Sequence, residues 1–278
     1  MSPHAASPSA TDPFGLHLRH WRRQRRLSQL DLAHEAEVST RHLSCVETGR
    51  AMPSREMVLR LADRLEVPLR ERNALLVAAG YAPMYRQRKL DDPALSAARR
   101  AIDRLLQAHA PFPALAIDRQ WQLVAANEQV PLLLAGIDAA LLTPPVNVLR
   151  LSLHPKGLAP RIANLVQWRA HLLERLAQQI AATSDVSLAA LRDELAAYPV
   201  PPAAGPVDMH AEANGADGEL AGVLVPLHLN TEHGQLRLIS TTTIFGTPVD
   251  VTLQELAIES FFPADAQTAE ILSRMSAR

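Results

Sequence analysis

Apolar residues recur along this chain with two different periods, and the change between them divides it. From Phe14 the spacing is helical: Phe14, Leu18 and Trp21 fall at i, i+4 and i+7 on one stripe, while Arg19, Arg22, Arg23, Arg25 and Arg26 take the remaining surface. Ser28, with Asp31 three residues on, reads as a capping-box variant opening a short helix that turns Leu32, Ala33 and Ala36 inward. Ser39 caps another short helix, buried through Leu43 and Val46 and ended by Gly49. Met57, Val58, Leu61, Ala62 and Leu65 mark a fourth helix after Pro53-Ser54, and a fifth spans about Arg70 to Ala79, stopped by Gly80 and Pro83. Five short helices in so short a stretch predict an all-α domain over residues 13–81, and Pro83, Pro93 and the charges between them predict a linker over 82–94.

Beyond the linker the period is mixed. A helix is expected at about Leu95 to His109, then two short strands over 114–125 about a polar Asp118-Arg119 turn, then a helix capped by Asn127 and running to Ala135. Further helices are expected at about Val146 to Leu153, Arg161 to Ala182 and Leu188 to Tyr198, followed by a Pro- and Gly-rich flexible loop over 199–219. Strand patterns return at 223–229 and 235–245, joined by Glu232-His233-Gly234. A helix after Thr252 and a C-terminal helix from about Asp265 complete an α+β domain with a small antiparallel sheet over 95–278.

Charge sharpens this division. The whole chain of 278 residues carries a formal net charge of -1, but residues 1–90 hold 15 basic and 9 acidic side chains, whereas residues 91–278 hold 13 and 20. The helical third is therefore cationic and suited to a polyanion. A lone Cys45 excludes an intrachain disulfide and a Cys-rich zinc site. His17 and His20 lie one turn apart, but on an arginine-rich helix that disfavours a metal cation, so no metal or cofactor is expected. No nucleophile elbow, P-loop or dinucleotide fingerprint is present, and no acid, base and nucleophile set suggests an enzyme. Residues 1–12 are Pro/Ser/Ala-rich and expected to be disordered, with neither a signal peptide nor an apolar run approaching the ~20 residues of a membrane span. A cytoplasmic, soluble protein is the expectation.

The two short helices from Ser28 and Ser39, separated by Ala36-Glu-Val38, have the spacing of a helix-turn-helix, whose second helix enters the major groove of double-stranded DNA. Ser39, Thr40, Arg41, His42, Ser44 and Cys45 lie away from the Leu43/Val46 face and are available to base edges; Arg41 suits guanine O6/N7. Gln29 and Arg50 are placed to hold phosphates, with Arg22 and Arg26 as further candidates. An arginine-rich helical bundle with no such role is the plain alternative, since 26 of the 28 basic residues are arginine.

These residues carry a resemblance. Ser28-Gln-Leu-Asp-Leu-Ala33, Val38-Ser-Thr-Arg-His-Leu-Ser44, Val46-Glu-Thr-Gly-Arg50 and Pro53-Ser54 resemble the phage-repressor-like helix-turn-helix of the xenobiotic-response-element (XRE) regulators. Glu37 departs from that pattern, which commonly has glycine in the turn, and a different turn conformation is expected there. Gly80-Tyr-Ala-Pro83, Trp121-Gln-Leu-Val-Ala-Ala-Asn127, Asn147-Val-Leu-Arg150, His154-Pro-Lys-Gly157, Phe245-Gly-Thr-Pro248 and Phe261-Phe-Pro-Ala-Asp265 are similar to the MmyB-like ligand-binding domain, a PAS-like module. The resemblance implies a transcription factor that binds its operator and senses a small hydrophobic molecule, with fatty-acid-like compounds suggested. By residue type and position, Trp121, Leu123, Leu151, Leu165, Trp168 and Phe245 are either pocket lining or plain core, and His154 either meets a polar head group or bonds backbone. A homodimer reading two half-sites is expected, and a second domain serving only dimerisation or protein docking is the alternative.

Overall fold

The computed structural model describes residues 13–183, 185–200, 224–246, 248 and 250–277, which fall into two compact units. The expected disordered residues 1–12 and most of the expected loop at 199–219 lie outside the described residues. Of the described residues, the first unit takes in those up to Leu90 together with those within 181–186 and 246–254; the second comprises those within 91–180, 187–245 and 255–277.

Five helices form most of the first unit: α1 (Phe14–Gln24), α2 (Gln29–Glu35), α3 (Thr40–Glu47), α4 (Arg55–Arg64) and α5 (Leu69–Ala78). Serines start three of them. Ser28 Oγ accepts from Asp31 N at 3.1 Å while Asp31 Oδ2 accepts from Ser28 N at 3.0 Å, so two otherwise unpaired amides are satisfied reciprocally. Ser39 Oγ accepts from His42 N at 3.1 Å and Ser54 Oγ from Met57 N at 3.2 Å. The apolar stripes meet in one core in which Leu18, Leu32, Leu43, Leu61, Leu65 and Leu76 are wholly buried. α1 reaches the end of α3 because Gly15 has no side chain: a Cβ there would stand 2.3 Å from the Glu47 carbonyl oxygen.

A short helix far along the chain, α11 (Val251–Gln254), also belongs to this unit. Gln254 Oε1 accepts from Leu69 N, which starts α5 after Pro68 and has no partner within its own helix. Asp250, 1% exposed, accepts from Arg88 Nη1 at 2.8 Å, and Val251 N donates to the Arg86 carbonyl at 2.9 Å.

The second unit holds α6 (Ser96–Ala108), α7 (Gln129–Leu133), α8 (Val148–Leu153), most of α9 (Leu165–Thr183) and of α10 (Val186–Ala197), and α12 (Ala266–Ser276) about a five-stranded antiparallel sheet. Its strands are β1 (Ala114–Ile117), β2 (Leu123–Ala126), β3 (Leu227–Thr231), β4 (Gly234–Ile244) and β5 (Ala257–Pro263), in the order β2-β1-β5-β4-β3. The helical domain followed by an α+β domain agrees with the expected fold class. The central strand does not appear in the sequence reading, which continues a helix after Thr252. That helix stops at Gln254, and β5 lies between β1 and β4, with Ile258 opposite both Ala116 and Thr243. Asn127 likewise does not cap α7. Its Oδ1 accepts from Ala114 N and its Nδ2 donates to the Leu106 and Phe112 carbonyls, which fixes the turn from α6 into β1.

Candidate nucleic-acid interface and apolar cavity

α3 has one buried face and one exposed face. Leu43 and Val46 are buried at 0% and 1%, whereas Thr40, Arg41 and His42 are exposed and Ser44 and Cys45 half-buried. Ser39 and Arg50, which flank the helix, are exposed as well, so these six predicted contact residues and Cys45 stand on or beside one face. The turn that aims it passes through Glu37 at φ +55°. This corrects the expectation of a different turn: the left-handed conformation that suits glycine is kept, and a glutamate bears its steric cost.

What holds α3 is a buried carboxylate. Glu47, 3% exposed, accepts from Arg22 Nε at 2.6 Å and Arg22 Nη2 at 3.0 Å, and from Gln29 Nε2 at 2.7 Å. Arg19 Nε lies 3.7 Å from the same carboxylate and its Nη2 donates to the Glu47 carbonyl. Burial pushes the Glu47 carboxyl up, but the hydrogen bonds from Arg22 and Gln29 and the charges of Arg22 and Arg19 outweigh it and hold the group below the ordinary carboxylate range. The hydrogen bond to Glu47 in turn raises Arg22. Arg22 also donates to the Leu27 carbonyl, so a residue offered as a phosphate contact is engaged internally. Gln29 is engaged on the same carboxylate through its amide nitrogen. No spacing rule links positions 22, 29 and 47, and the sequence reading missed the cluster.

In the second unit a cavity of about 100 Å³ lies between the sheet and α8 and α9. Leu115, Leu149, Leu172 and Leu227 make much of its wall. Of the residues expected there, Trp121, Leu123, Leu151 and Trp168 do line it; Leu165, His154 and Phe245 lie outside the lining. Leu165 is core at 8% exposure. His154 accepts from Lys156 N through Nδ1 and sets its ring edge-on to Tyr198 at 5.0 Å. The backbone bond is the second of its two expected roles.

Trp121 reaches the cavity through an unusual backbone. Asp118 Oδ1 accepts from both Gln120 N and Gln122 N, and this side-chain turn leaves Trp121 between them at φ +62°. Trp121 Nε1 donates to Gln179 Oε1 at 2.7 Å, and Trp168 Nε1 to Ser152 Oγ at 2.9 Å, so both indoles are fixed by their polar edges. Left-handed backbone costs a bulky residue about 1–3 kcal/mol and persists where its surroundings over-determine it. Sequence reasoning missed the polar lining: Ser152, Arg175, Ser240 and Glu259. Glu259 sits on the unrecognised strand, and Arg175 is one arginine among many.

Helix-turn-helix geometry with an exposed polar α3, joined to an α+β unit that holds an apolar cavity, defines a DNA-binding transcription regulator with a ligand-binding domain. Residues 98–275 match the MmyB-like transcription regulator ligand binding domain, and residues 13–75 match a helix-turn-helix domain. The chain belongs to the MmyB-like regulator family. No curated protein matches it. Among the described residues, no helix is long and apolar enough to cross a membrane.

Proposed function

We propose that this regulator reads a specific operator through α3 and changes its occupancy when a small hydrophobic, fatty-acid-like molecule enters the cavity. The observation that carries the reading is the division of α3 into a buried Leu43/Val46 face and an exposed polar one. Ser39, Thr40, Arg41, His42 and Ser44 face base edges in the major groove, with Arg41 bidentate to guanine. Arg50, just past the helix, and Gln29, through its second amide N–H, hold phosphates. Residues 13–81 form the DNA-binding domain, 82–94 the linker and 95–278 the sensing domain, with a PAS-like role. Two copies bind as a homodimer, because half-sites ~34 Å apart supply affinity that one small module lacks.

Operator selection from random DNA, followed by titrations of the full chain, tests this division of labour. Arg41→Ala is expected to relax preference at one base position at a cost of about 1–3 kcal/mol. Arg50→Ala is expected to weaken all sequences about equally and to lower the salt slope by about one. Equal losses across all sequences for both substitutions would overturn the assignment of Arg41 to base readout.

A further inference from the structure

Two stretches from the second half of the chain belong to the first unit: the described residues within 181–186 and within 246–254. Each is tied there by a glutamine at a helix end. The Ala181 and Ala182 carbonyls, in the last turn of α9 where partners within the helix run out, accept from Nε2 of Gln24, the last residue of α1. Gln254 Oε1 accepts from Leu69 N at the start of α5. α1 is also the helix whose Arg19 and Arg22 hold Glu47 at the end of α3. The first stretch therefore bears on the helix that fixes the exposed polar one.

In the second unit, the residues beside both stretches converge on one turn. Gln179, two positions before Ala181, accepts from Trp121 Nε1 through Oε1 and donates from Nε2 to the Arg119 carbonyl, each at 2.7 Å. Glu255, one position after Gln254, brings its carboxylate to 3.8 Å from Arg119 Nε. This is the turn in which Asp118 Oδ1 accepts from Gln120 N and Gln122 N and leaves Trp121 at φ +62°. Trp121 lines the cavity, whereas Gln179 and Glu255 lie outside the lining. A space of about 100 Å³ is smaller than the roughly 150 Å³ that takes one benzene, so an acyl chain enters by displacing wall. The Trp121 indole is the wall group with a backbone that a bulky residue keeps only while its surroundings hold it. Moving the ring breaks its bond to Gln179 and lets the turn relax.

We propose that the 118–122 turn couples the cavity to the DNA-binding unit: an acyl chain that displaces the Trp121 indole releases Gln179 and draws Arg119 from Glu255, freeing at their roots both stretches that run into the first unit. This rests on the reading of the cavity as the effector site. Gln179 and Glu255 are the positioning residues of the coupling. They hold the turn and the two stretches in one arrangement, and the effector favours the other because only there does its chain fit.

The test uses the full chain, its operator selected from random DNA, and sodium decanoate, with acid binding read by calorimetry and DNA binding by titration. Saturating decanoate is expected to change the wild-type operator Kd at least about fivefold, and saturating operator to change the decanoate Kd by the same factor. Gln179→Leu together with Glu255→Gln releases the turn in advance. That variant without decanoate is expected to bind operator within about threefold of the decanoate-saturated wild type, to respond to decanoate less than about twofold, and to bind decanoate no more weakly than the wild type. Gln24→Ala together with Gln254→Ala cuts the far ends of both stretches and leaves the turn intact, so it asks the same question of a protein with an unaltered second unit. Its coupling factor is also expected below about twofold. The wild-type factor in either folded double variant would overturn the proposal while leaving the effector site standing. A wild type that does not bind decanoate, or whose operator affinity ignores it, would remove the effector reading and the proposal with it.

Discussion

Replacing Glu47 by alanine should damage the DNA-binding unit more than any exposed change on α3, and the geometry gives the size. The substitution removes the acceptor for Arg22 Nε and Nη2 and for Gln29 Nε2, at 2.6, 3.0 and 2.7 Å. The Arg22 side chain is 12% exposed, so its guanidinium keeps the Leu27 carbonyl and little else. Breaking a buried pair from one side costs about 3–5 kcal/mol, because the surviving charge stays desolvated. Arg22 retains a carbonyl and some water, which places the expected loss near the lower figure, about 3 kcal/mol. Hydrogen exchange followed by mass spectrometry on peptides covering 14–47 reads this unit without the other. The slowest amides should exchange roughly 150-fold faster, the factor that about 3 kcal/mol implies. Adding Arg22→Met removes the stranded charge and should recover at least half of the loss. A single-mutant effect below about 1 kcal/mol, or no recovery in the double mutant, would refute the claim that Glu47 fixes α3 through charge pairing.

Gly15→Ala places a Cβ 2.3 Å from the Glu47 carbonyl oxygen, and backbone on both sides must shift, so a loss of at least about 2 kcal/mol is expected in the same exchange experiment. Normal protection in that variant would show that α1 and α3 are not closely packed. In the second unit, hydrogen bonds from Arg150 at 2.7 and 2.6 Å, against the opposing effect of burial and helped by one from Tyr198 at 2.6 Å, lower the Glu194 carboxyl to about 2. The Tyr198 hydroxyl is pushed up to about 12, by burial first and then by that bond. A carboxyl lowered by folding contributes stability above its ordinary value of 4.5 and loses it as pH falls toward 2. The urea midpoint advantage of the wild type over Glu194→Gln should therefore be present at pH 6 and shrink between pH 4.5 and 2; a constant difference would contradict the pairing.

The helical unit was readable because its signals are local. Ser28, Ser39 and Ser54 each sit one residue before a helix whose amide they satisfy, and apolar residues three and four apart follow. Glu47 was opaque for the opposite reason: its partners lie 25 and 18 residues away, on helices whose packing no periodicity encodes. β5 failed as a pattern because Ala257 to Pro263 does not alternate. Ile258 and Glu259 are buried in succession, and the residues before them, Gln254 to Leu256, are good helix formers. With that strand went Glu259, whereas the other polar lining residues, Ser152, Arg175 and Ser240, lie on α8, α9 and β4. The aromatic part was legible, since Trp121 and Trp168 are among few large rings in the chain, but which apolar residues line space and which fill it depends on packing that sequence spacing does not fix.

Asp250 and Gln254 give the first unit a history as well as a structure. Arg88 and Asp250 are separated by 162 positions, and Leu69 N waits still longer for Gln254 Oε1. At about 5–20 residues per second, a ribosome releases the five helices some 8–30 s before it supplies these partners. During that interval the N-terminal unit exists with the Leu69 amide at the start of α5 turned to water. A nascent regulator therefore completes its DNA-binding unit only after β4 of its ligand-binding domain has been made.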